Sequence, residues 1–207
     1  MVGIMSAEEF QKINNVSRET MDKFICYSEM LIKWQKAINL VSDNSLSDMW
    51  RRHFYDSAQL IEYIDQKKQP LKILDLGSGA GFPGLVLSIL GAGEVHLIEG
   101  VGKKCSFMKQ IIQKTKIDAI VHNERIENMD AFPVDLITSR ACADLGKLLS
   151  LTSKFMTPDT KCLFLKGEKA QDEIERAKRS AEFKVDIYKS KSEETGMILS
   201  LSQIRLK

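Results

Sequence analysis

The spacing of apolar residues changes near Pro70, and the change divides the chain into two parts. Over residues 5–66, apolar side chains recur at three- and four-residue steps, which is the period of an amphipathic helix. A run of turn-forming residues at 39–45 interrupts the pattern, which then resumes. We therefore predict a helical N-terminal segment over residues 1–70 that ends in the polar linker 66–70 and packs on the rest of the chain.

After this linker, short apolar runs alternate with amphipathic stretches of helical length. Such alternation of strands and helices indicates a mostly parallel sheet covered by helices on both faces. The two last runs are expected to pair antiparallel, which completes a seven-stranded Rossmann-like fold over residues 71–207. The predicted strands are 71–76, 94–99, 117–122, 134–139, 161–166, 183–189 and 197–205, and the predicted helices are 83–91, 102–115, 145–156 and 169–180.

The first predicted strand runs into a loop with four glycines, Ile73-Leu-Asp-Leu-Gly-Ser-Gly-Ala-Gly-Phe-Pro-Gly84. Glycine lets the backbone turn sharply and approach a ligand closely, so this loop is a candidate nucleotide-type site. Gly77, Gly79 and Gly81 match the pattern of S-adenosylmethionine (SAM) methyltransferases. The same stretch also satisfies the weaker dinucleotide pattern G-x-G-x-x-G.

Two acidic residues stand in register with this loop. Asp75 precedes Gly77 by two residues, which suits a cofactor with a cationic amine and sulfonium better than a pyrophosphate. Glu99 ends the next predicted strand, where an acid binds ribose hydroxyls in either cofactor class. The loop and both acids together favour SAM as the cofactor.

Composition narrows the function classes only modestly. A net charge of +2 does not by itself indicate nucleic-acid binding, so any basic surface must be local. The four cysteines are far apart and form no metal-ligand spacing, and reduced thiols fit the cytoplasm. No apolar run reaches the length of a membrane span or a signal core. We expect a cytoplasmic protein that has no metal site and no membrane contact.

Seven short motifs occur in order along the chain, and together they are more specific than the glycine loop alone. With them the chain resembles the bacterial 16S ribosomal RNA guanine-N7 methyltransferase G family, also called glucose-inhibited division protein B, from about residue 20 to 205. The resemblance implies methyl transfer from SAM to N7 of one guanosine in 16S rRNA. The motifs are Trp34-Gln-Lys-Ala-Ile-Asn-Leu40, Arg52-His-Phe-Tyr-Asp-Ser57, Leu74 to Gly84, Gly102-Lys-Lys104, Arg125-Ile-Glu127, Ser139-Arg-Ala141 and Lys166-Gly167.

The resemblance also implies which residues contact the cofactor. They lie in the glycine loop and after the second, third and fourth predicted strands. One minor departure is Gly100, where relatives often carry serine, and it removes no expected ligand. The implied cofactor residues are Gly77, Phe82, Glu99, Ile126, Glu127 and Arg140.

Guanine N7 carries a lone pair and no proton, so its methylation needs no general base. The sequence agrees, since it has no paired-carboxylate or Ser/His/Asp pattern with convincing spacing. Catalysis would then depend on alignment and electrostatics. Arg140 and Arg125 are the candidates for charged contacts at the reaction. The alternatives are a structural pair of Arg140 with Asp144 or Glu127 and a surface salt bridge of Arg125.

RNA binding is expected from a local rim of basic residues that meets phosphates. His53 and Asp56 share a helix face, and two interpretations stay open for them. Either they form a buried hydrogen bond that positions the N-terminal helices, or His53 lines the RNA or cofactor cleft. The rim candidates are Arg51, Arg52, His53, Lys103, Lys104 and Lys166.

Other functions compete with rRNA methylation at this stage. A small-molecule methyltransferase would use the helical segment as a lid, and a non-enzymatic ribosome-assembly factor would bind a nucleotide without turnover. A dinucleotide oxidoreductase would need a substrate domain and a proton donor, which we do not find in the sequence. The expected partner is 16S rRNA, within a small-subunit particle, and the protein is expected to be a monomer.

Overall fold

The structure is a computed structural model that describes residues 3–65, 70–140 and 142–207 of the 207-residue chain. Most of the predicted linker, residues 66–69, and Ala141 of the Ser-Arg-Ala motif lie outside the described residues.

The N-terminal segment is helical, as predicted from its apolar period. Helix α1 (Ala7–Asn14) begins at a capping box, in which Ser6 and Glu9 satisfy each other's backbone N–H groups. Helix α2 (Arg18–Gln35) begins with Ser17 as its N-cap. The short α3 (Asp43–Leu46) follows the turn-forming residues. A continuous helical stretch then runs through a π-helix (Trp50–Tyr55), α4 (Asp56–Ala58) and a 3₁₀ helix (Gln59–Tyr63).

The π-helix differs from the regular helix that the apolar period predicts for this stretch. A π-turn shifts the residues after it around the helix axis, so fewer of them follow the 3.6-residue period. The turn presents Trp50 and Phe54 to the core while it presents Arg52 and His53 to a cleft on the other side. In the core, the rings of Phe10 and Trp50 both lie against Phe54.

The remainder of the chain forms one seven-stranded sheet, and the predicted fold class is confirmed. The strand order is β3-β2-β1-β4-β5-β7-β6, in which β1 to β5 are parallel and β7 is antiparallel to both neighbours. The strands are β1 (Lys72–Leu76), β2 (Glu94–Ile98), β3 (Ala119–His122), β4 (Leu136–Arg140), β5 (Lys161–Lys166), β6 (Ala181–Lys189) and β7 (Met197–Leu206).

Four α-helices connect the strands and cover the sheet, namely α5 (Gly84–Ile89), α6 (Gly102–Thr115), α7 (Leu145–Thr152) and α8 (Ala170–Ala177). The order of parallel strands reverses between β1 and β4, and ligands of such sheets bind at the carboxyl edge beside that reversal. The buried core on one face is continuous from α1 and α2 to α5 and α6. The N-terminal helices therefore share a core with the sheet, and a domain boundary at residue 70 stays a prediction.

Candidate functional site

The glycine loop between β1 and α5 is held by its own backbone. Ser78 N–H donates to the Ile98 carbonyl at 3.0 Å, which ties the loop to the end of β2. The N–H groups of Gly81 and Phe82 both donate to the Ser78 carbonyl, at 2.7 and 3.1 Å. These bonds make a tight turn at the carboxyl edge of the sheet.

The three glycines of the pattern all have positive φ angles, +67° at Gly77, +58° at Gly79 and +98° at Gly81, but their surroundings differ. A Cβ at Gly77 would lie 2.4 Å from Cys142 Sγ, and one at Gly81 would lie 2.3 Å from Leu85 Cδ1. A Cβ at Gly79 would meet nothing closer than 3.9 Å. Gly77 and Gly81 are therefore required by packing, whereas Gly79 borders the open space that a ligand could occupy.

Asp75 lies beneath this loop and is fully buried on β1. Its carboxylate accepts hydrogen bonds from Thr138 Oγ1 at 2.8 Å and from Gly84 N–H at 3.3 Å. Burial raises the pKa of Asp75 to about 6, because the charged form loses its hydration. In this structure Asp75 supports the start of α5 from below, and its direct contact with the cofactor stays a prediction.

Glu99 stands at the end of β2, beside Gly79. One carboxylate oxygen accepts from Gly79 N–H at 3.0 Å, and the other accepts from Val101 N–H at 2.8 Å. A carboxylate has about four lone-pair positions, so each oxygen can still accept from a ribose hydroxyl. A contact of Glu99 with the ribose stays a prediction.

The residues after β3 lie on the same side of the loop as Glu99, because β3 pairs with β2. A 3₁₀ turn (Ile126–Asn128) carries the buried Ile126 and the exposed Glu127. Arg125 caps this turn and is exposed. Arg125 and Arg140 therefore stand on opposite sides of the loop, with β1 and β2 between their strands.

Phe82 is the centre of a buried aromatic stack, and its contact with the cofactor stays a prediction. Its ring is only 3 % exposed and stacks on Tyr27 at 5.2 Å and on His53 at 5.0 Å. The Arg140 guanidinium lies 5.0 Å from the centre of the same ring, within the range of a cation–π contact. Tyr27 also donates a hydrogen bond to the Ala80 carbonyl at 2.6 Å, so helix α2 holds the glycine loop directly.

Arg140 ends β4 and contacts the N-terminal segment. Its Nη1 donates to the Arg52 carbonyl at 3.0 Å and to Asp56 Oδ2 at 3.3 Å. The prediction that Arg140 pairs with Asp144 is wrong, since Asp144 instead pairs with Arg176 at 2.8 Å. The other predicted structural partner, Glu127, is wrong as well. It lies after β3, across β1 and β2 from the end of β4.

The predicted hydrogen bond between His53 and Asp56 is also wrong. His53 Nε2 bonds to Ser45 Oγ at 2.9 Å, and His53 Nδ1 has no partner among the described residues. Asp56 turns toward Arg140, Gln59 and Ser192. Burial, followed by the charges of Arg140 and Arg52, lowers the pKa of His53 to about 3, so this side chain is neutral at physiological pH.

These side chains border a cleft of about 630 Å³ on the β4–β5 side of the glycine loop. It brings together four residues of the sequence prediction with residues that the sequence did not single out. The turn between β6 and β7 contributes Ser190 and Glu193, and no local pattern in the sequence marks them. The predicted residues that line the cleft are Arg52, His53, Arg140 and Lys166.

The basic residues of the predicted rim do not form one surface, because they differ in burial and in their acidic partners. Arg52 pairs with Glu193 at 2.9 Å, with both side chains partly exposed. Lys166 is nearly buried and pairs with Glu173 at 2.7 Å. Arg51 turns away from the cleft to Asp48 and the Gly3 carbonyl.

Lys103 and Lys104 start α6, next to Glu99, and stand outside the cleft. A groove of about 860 Å³ opens elsewhere, beside β6 and β7, and carries none of the predicted site residues. Within residues 3–65, 70–140 and 142–207 no three His, Cys, Asp or Glu side chains are grouped to hold a metal ion. None of the described helices has the length and apolar content to cross a membrane.

A family model described as rRNA small subunit methyltransferase G matches residues 20–197. The chain belongs to this family. A Rhodospirillum centenum relative named Ribosomal RNA small subunit methyltransferase G is 46% identical over 96% of this chain and 91% of its own length. The family resemblance is thereby confirmed, and this member of the rRNA small subunit methyltransferase G family is a SAM-dependent methyltransferase.

Solved structures agree on the fold. The ribosomal protein L11 methylase of Lactobacillus delbrueckii subsp. bulgaricus superposes with a TM-score of 0.59 at 19% identity, over 72% of this chain and 76% of its own. The M. jannaschii TYW2 structure, in complex with AdoMet, superposes with a TM-score of 0.53 at 13% identity, over 68% and 71% of the two chains. At such identities the likeness concerns the fold of this family member alone.

Proposed function

We propose that this chain transfers the methyl group of SAM to N7 of one guanosine in 16S rRNA. The observation that carries the proposal is the arrangement around the glycine loop. Gly79 and Glu99 border open space on the β2 side, and the cleft with Arg140 and His53 opens on the β4 side. A cofactor on the first side and a base on the second would meet at the loop.

The residues present fit SAM. Gly79 leaves room for close approach, and Glu99 has lone pairs for ribose hydroxyls. The turn with Ile126 and Glu127 follows β3, on the same side of the loop, and its proposed contact is with the adenine. Gly77, Gly81 and Phe82 hold the loop in shape, and Asp75 supports it from below. When bound, SAM supplies an electrophilic methyl group on a sulfonium.

The chain's own part in the reaction is alignment, because N7 attacks with a lone pair and no proton must be removed. Arg140 is held by Asp56 and the Arg52 carbonyl, so its guanidinium keeps one orientation at the cleft. Its other N–H groups can donate to O6 of a guanine, as arginine does in many nucleic-acid complexes. Arg125 follows β3, with β2 and β1 between its strand and that of Arg140, and we propose for it a contact on the cofactor side instead.

RNA phosphates would be met by the cations that the structure leaves accessible. Of the predicted rim residues, Lys103 and Lys104 are the best candidates, since neither is paired with an acid among the described residues. Arg52 shares its charge with Glu193, while Lys166 and Arg51 are bound to acids of the chain. We propose further that the substrate is a small-subunit particle in the cytoplasm and that the protein acts as a monomer.

The test is to map N7-methylguanosine in 16S rRNA from cells with and without the gene. Chemical cleavage at N7-methylguanosine followed by primer extension gives the position. We expect one 16S site to lose its modification on deletion and to regain it when the gene is restored. An unchanged map would contradict rRNA methylation, and turnover of SAM with a small molecule instead of the particle would favour the small-molecule alternative.

A further inference from the structure

The proposed function leaves open how the site chooses guanine. Adenine also carries an N7 lone pair, so the nucleophile itself does not separate the two purines. They differ at the neighbouring positions, where guanine has the acceptor O6 followed by the donor N1–H, and adenine has a donor amine followed by the acceptor N1. A site that selects guanine needs a donor and an acceptor side by side. The inference below rests on the proposed function.

His53 supplies an acceptor whose identity follows from its neighbours. Ser45 Oγ has one proton, which it donates to the Ser42 carbonyl at 2.8 Å. The same oxygen accepts from Ser42 Oγ at 2.8 Å and lies 2.9 Å from His53 Nε2. With these donors, we assign the proton of the neutral ring to His53 Nε2, which donates to Ser45 Oγ and leaves Nδ1 with a lone pair.

This lone pair has no partner among the described residues, although the side chain is only 7 % exposed. A buried acceptor without a donor costs free energy, and a ligand that supplies the donor recovers it. His53 lines the cleft, so the missing donor can come from a base bound there.

Arg140 brings donors to the cleft that His53 also lines. The Arg140 guanidinium and the His53 ring are each 5.0 Å from the centre of the Phe82 ring. Only Nη1 of Arg140 is used by partners among the described residues, namely the Arg52 carbonyl and Asp56. The remaining N–H groups of the guanidinium are available to a base.

We propose that His53 Nδ1 accepts the N1–H of the target guanine while Arg140 donates to its O6. The pair is complementary to guanine and mismatched to adenine, for which both contacts would set donor against donor or acceptor against acceptor. His53 is thus a specificity residue of the base site, and Ser45 fixes its tautomer.

Two substitutions separate this role from a purely structural one. His53→Asn puts an amide near the position of Nδ1 and loses the bond to Ser45. His53→Gln puts an amide near the position of Nε2, where it can still donate to Ser45, and loses the acceptor at Nδ1. We expect His53→Gln to lower the single-turnover methylation rate on guanine by tenfold or more and to narrow the guanine-to-adenine ratio. His53→Asn should retain more rate and more discrimination than His53→Gln.

The substrate for these rates is a small-subunit particle reconstituted with guanine, inosine, 2-aminopurine or adenine at the target position. Wild-type protein should accept inosine, which keeps O6 and N1–H, and should reject 2-aminopurine, which lacks both. This series needs no variant, so it tests recognition of O6 and N1–H even if a substitution prevents folding, and the two variants assign the N1–H contact to His53. SAM affinity, measured by calorimetry, should be nearly unchanged in both variants.

The opposite order of the variants, with His53→Gln close to wild type and His53→Asn impaired, would overturn the proposal and leave His53 as a support for Ser45. Wild-type methylation of 2-aminopurine within threefold of guanine would overturn it as well. A large loss of SAM affinity in His53→Gln would reassign Nδ1 to the cofactor amine and likewise overturn it. If wild-type protein does not methylate the guanine particle at all, the proposed function itself fails. Each of the preceding outcomes requires methylation or SAM binding by the protein, so the two kinds of failure can be told apart.

Discussion

At the residue scale, two candidate cofactor residues have a structural role at the glycine loop, and their contact with the cofactor stays a prediction. Asp75 and Phe82 stand at the glycine loop, yet both are buried and hold the loop in position. Gly79 is the glycine with free space beside it. The loop is thus a frame of packed residues around one open position.

The open position can be tested with asparagine, which tolerates positive φ better than other residues with a side chain. Gly79→Asn should lower SAM affinity by tenfold or more, about 1.4 kcal/mol, because its side chain enters the space proposed for the cofactor. Gly91→Asn is the matched control, since Gly91 also has positive φ, at +76°, and nothing within 4 Å of its Cβ position. Calorimetry that gives equal SAM affinity for the two variants would refute the assignment of the loop.

His53 also predicts a pH dependence of stability. The pKa of His53 in the fold is about 3, below its model-peptide value of 6.5, so the unfolded chain binds the proton more tightly. The stability that the neutral ring contributes is therefore present above pH 6.5 and is lost as pH falls toward 3. The raised pKa of Asp75 has the opposite effect, because the folded state gains stability as pH falls from about 6 to about 4. It partly offsets the loss from His53 in wild-type protein.

Comparison with His53→Gln isolates the histidine, because the other titrating groups are shared. The difference in the free energy of unfolding between wild type and variant should shrink by up to about 1.4 kcal/mol per pH unit between pH 6 and 4. Urea denaturation at several pH values measures it. A difference that stays constant over this range would mean that His53 titrates normally in the fold.

At the element scale, helix α2 and the π-helix position the glycine loop from outside the sheet. Tyr27 reaches from α2 to the Ala80 carbonyl and stacks on Phe82. The π-helix brings His53 onto the other part of the stack and directs Asp56 to Arg140. The N-terminal helices thus form one wall of the candidate site and also contact the glycine loop.

The hydrogen bond from α2 is removed by Tyr27→Phe, which keeps the aromatic stack. The Ala80 carbonyl is then buried without this donor, and we expect a loss of about 1–3 kcal/mol in stability together with a several-fold weaker SAM affinity. Tyr188→Phe, at a partly exposed ring on β6, should change neither quantity. Thermal unfolding and calorimetry measure the two. Unchanged SAM affinity in Tyr27→Phe would show that α2 does not tune the loop.

At the scale of the whole molecule, the net positive charge is small, so RNA binding depends on where the accessible basic residues lie. The net charge is only +2, and several basic side chains of the cleft are paired with acids. Lys103 and Lys104 stand at the carboxyl edge of the sheet, beside the site, since α6 starts directly after β2.

Neutralising this pair with Lys103→Gln and Lys104→Gln should weaken particle binding and reduce the slope of log affinity against log salt by up to about two units. Lys114→Gln with Lys116→Gln is the matched control. It removes the same charge at the other end of the same helix, away from the site, and should leave the slope unchanged. SAM affinity should be unaffected in both. Identical slopes for the two double variants would show that Lys103 and Lys104 are ordinary solvated charges.

The strands, the helices and the glycine loop could be predicted from the sequence alone. Strand and helix periods, the glycine loop and the acids Asp75 and Glu99 are local features, and local features depend on nearby residues and backbone preferences. The predicted strand and helix positions agree with the structure closely for that reason. The π-helix is an exception, because a one-residue irregularity leaves little trace in the apolar period.

The partners of the polar side chains could not be predicted from the sequence and are visible only in the folded chain. Arg140 and Asp56 are 84 residues apart, and Asp56 and Ser192 are 136 apart, so no spacing rule relates them. His53 and Asp56 share a helix face, yet in the folded structure His53 bonds to Ser45 and Asp56 bonds to Arg140. Charge and hydrogen-bond pairing depend on distances of a few ångström, and those distances are fixed by the packing of distant segments rather than by local sequence.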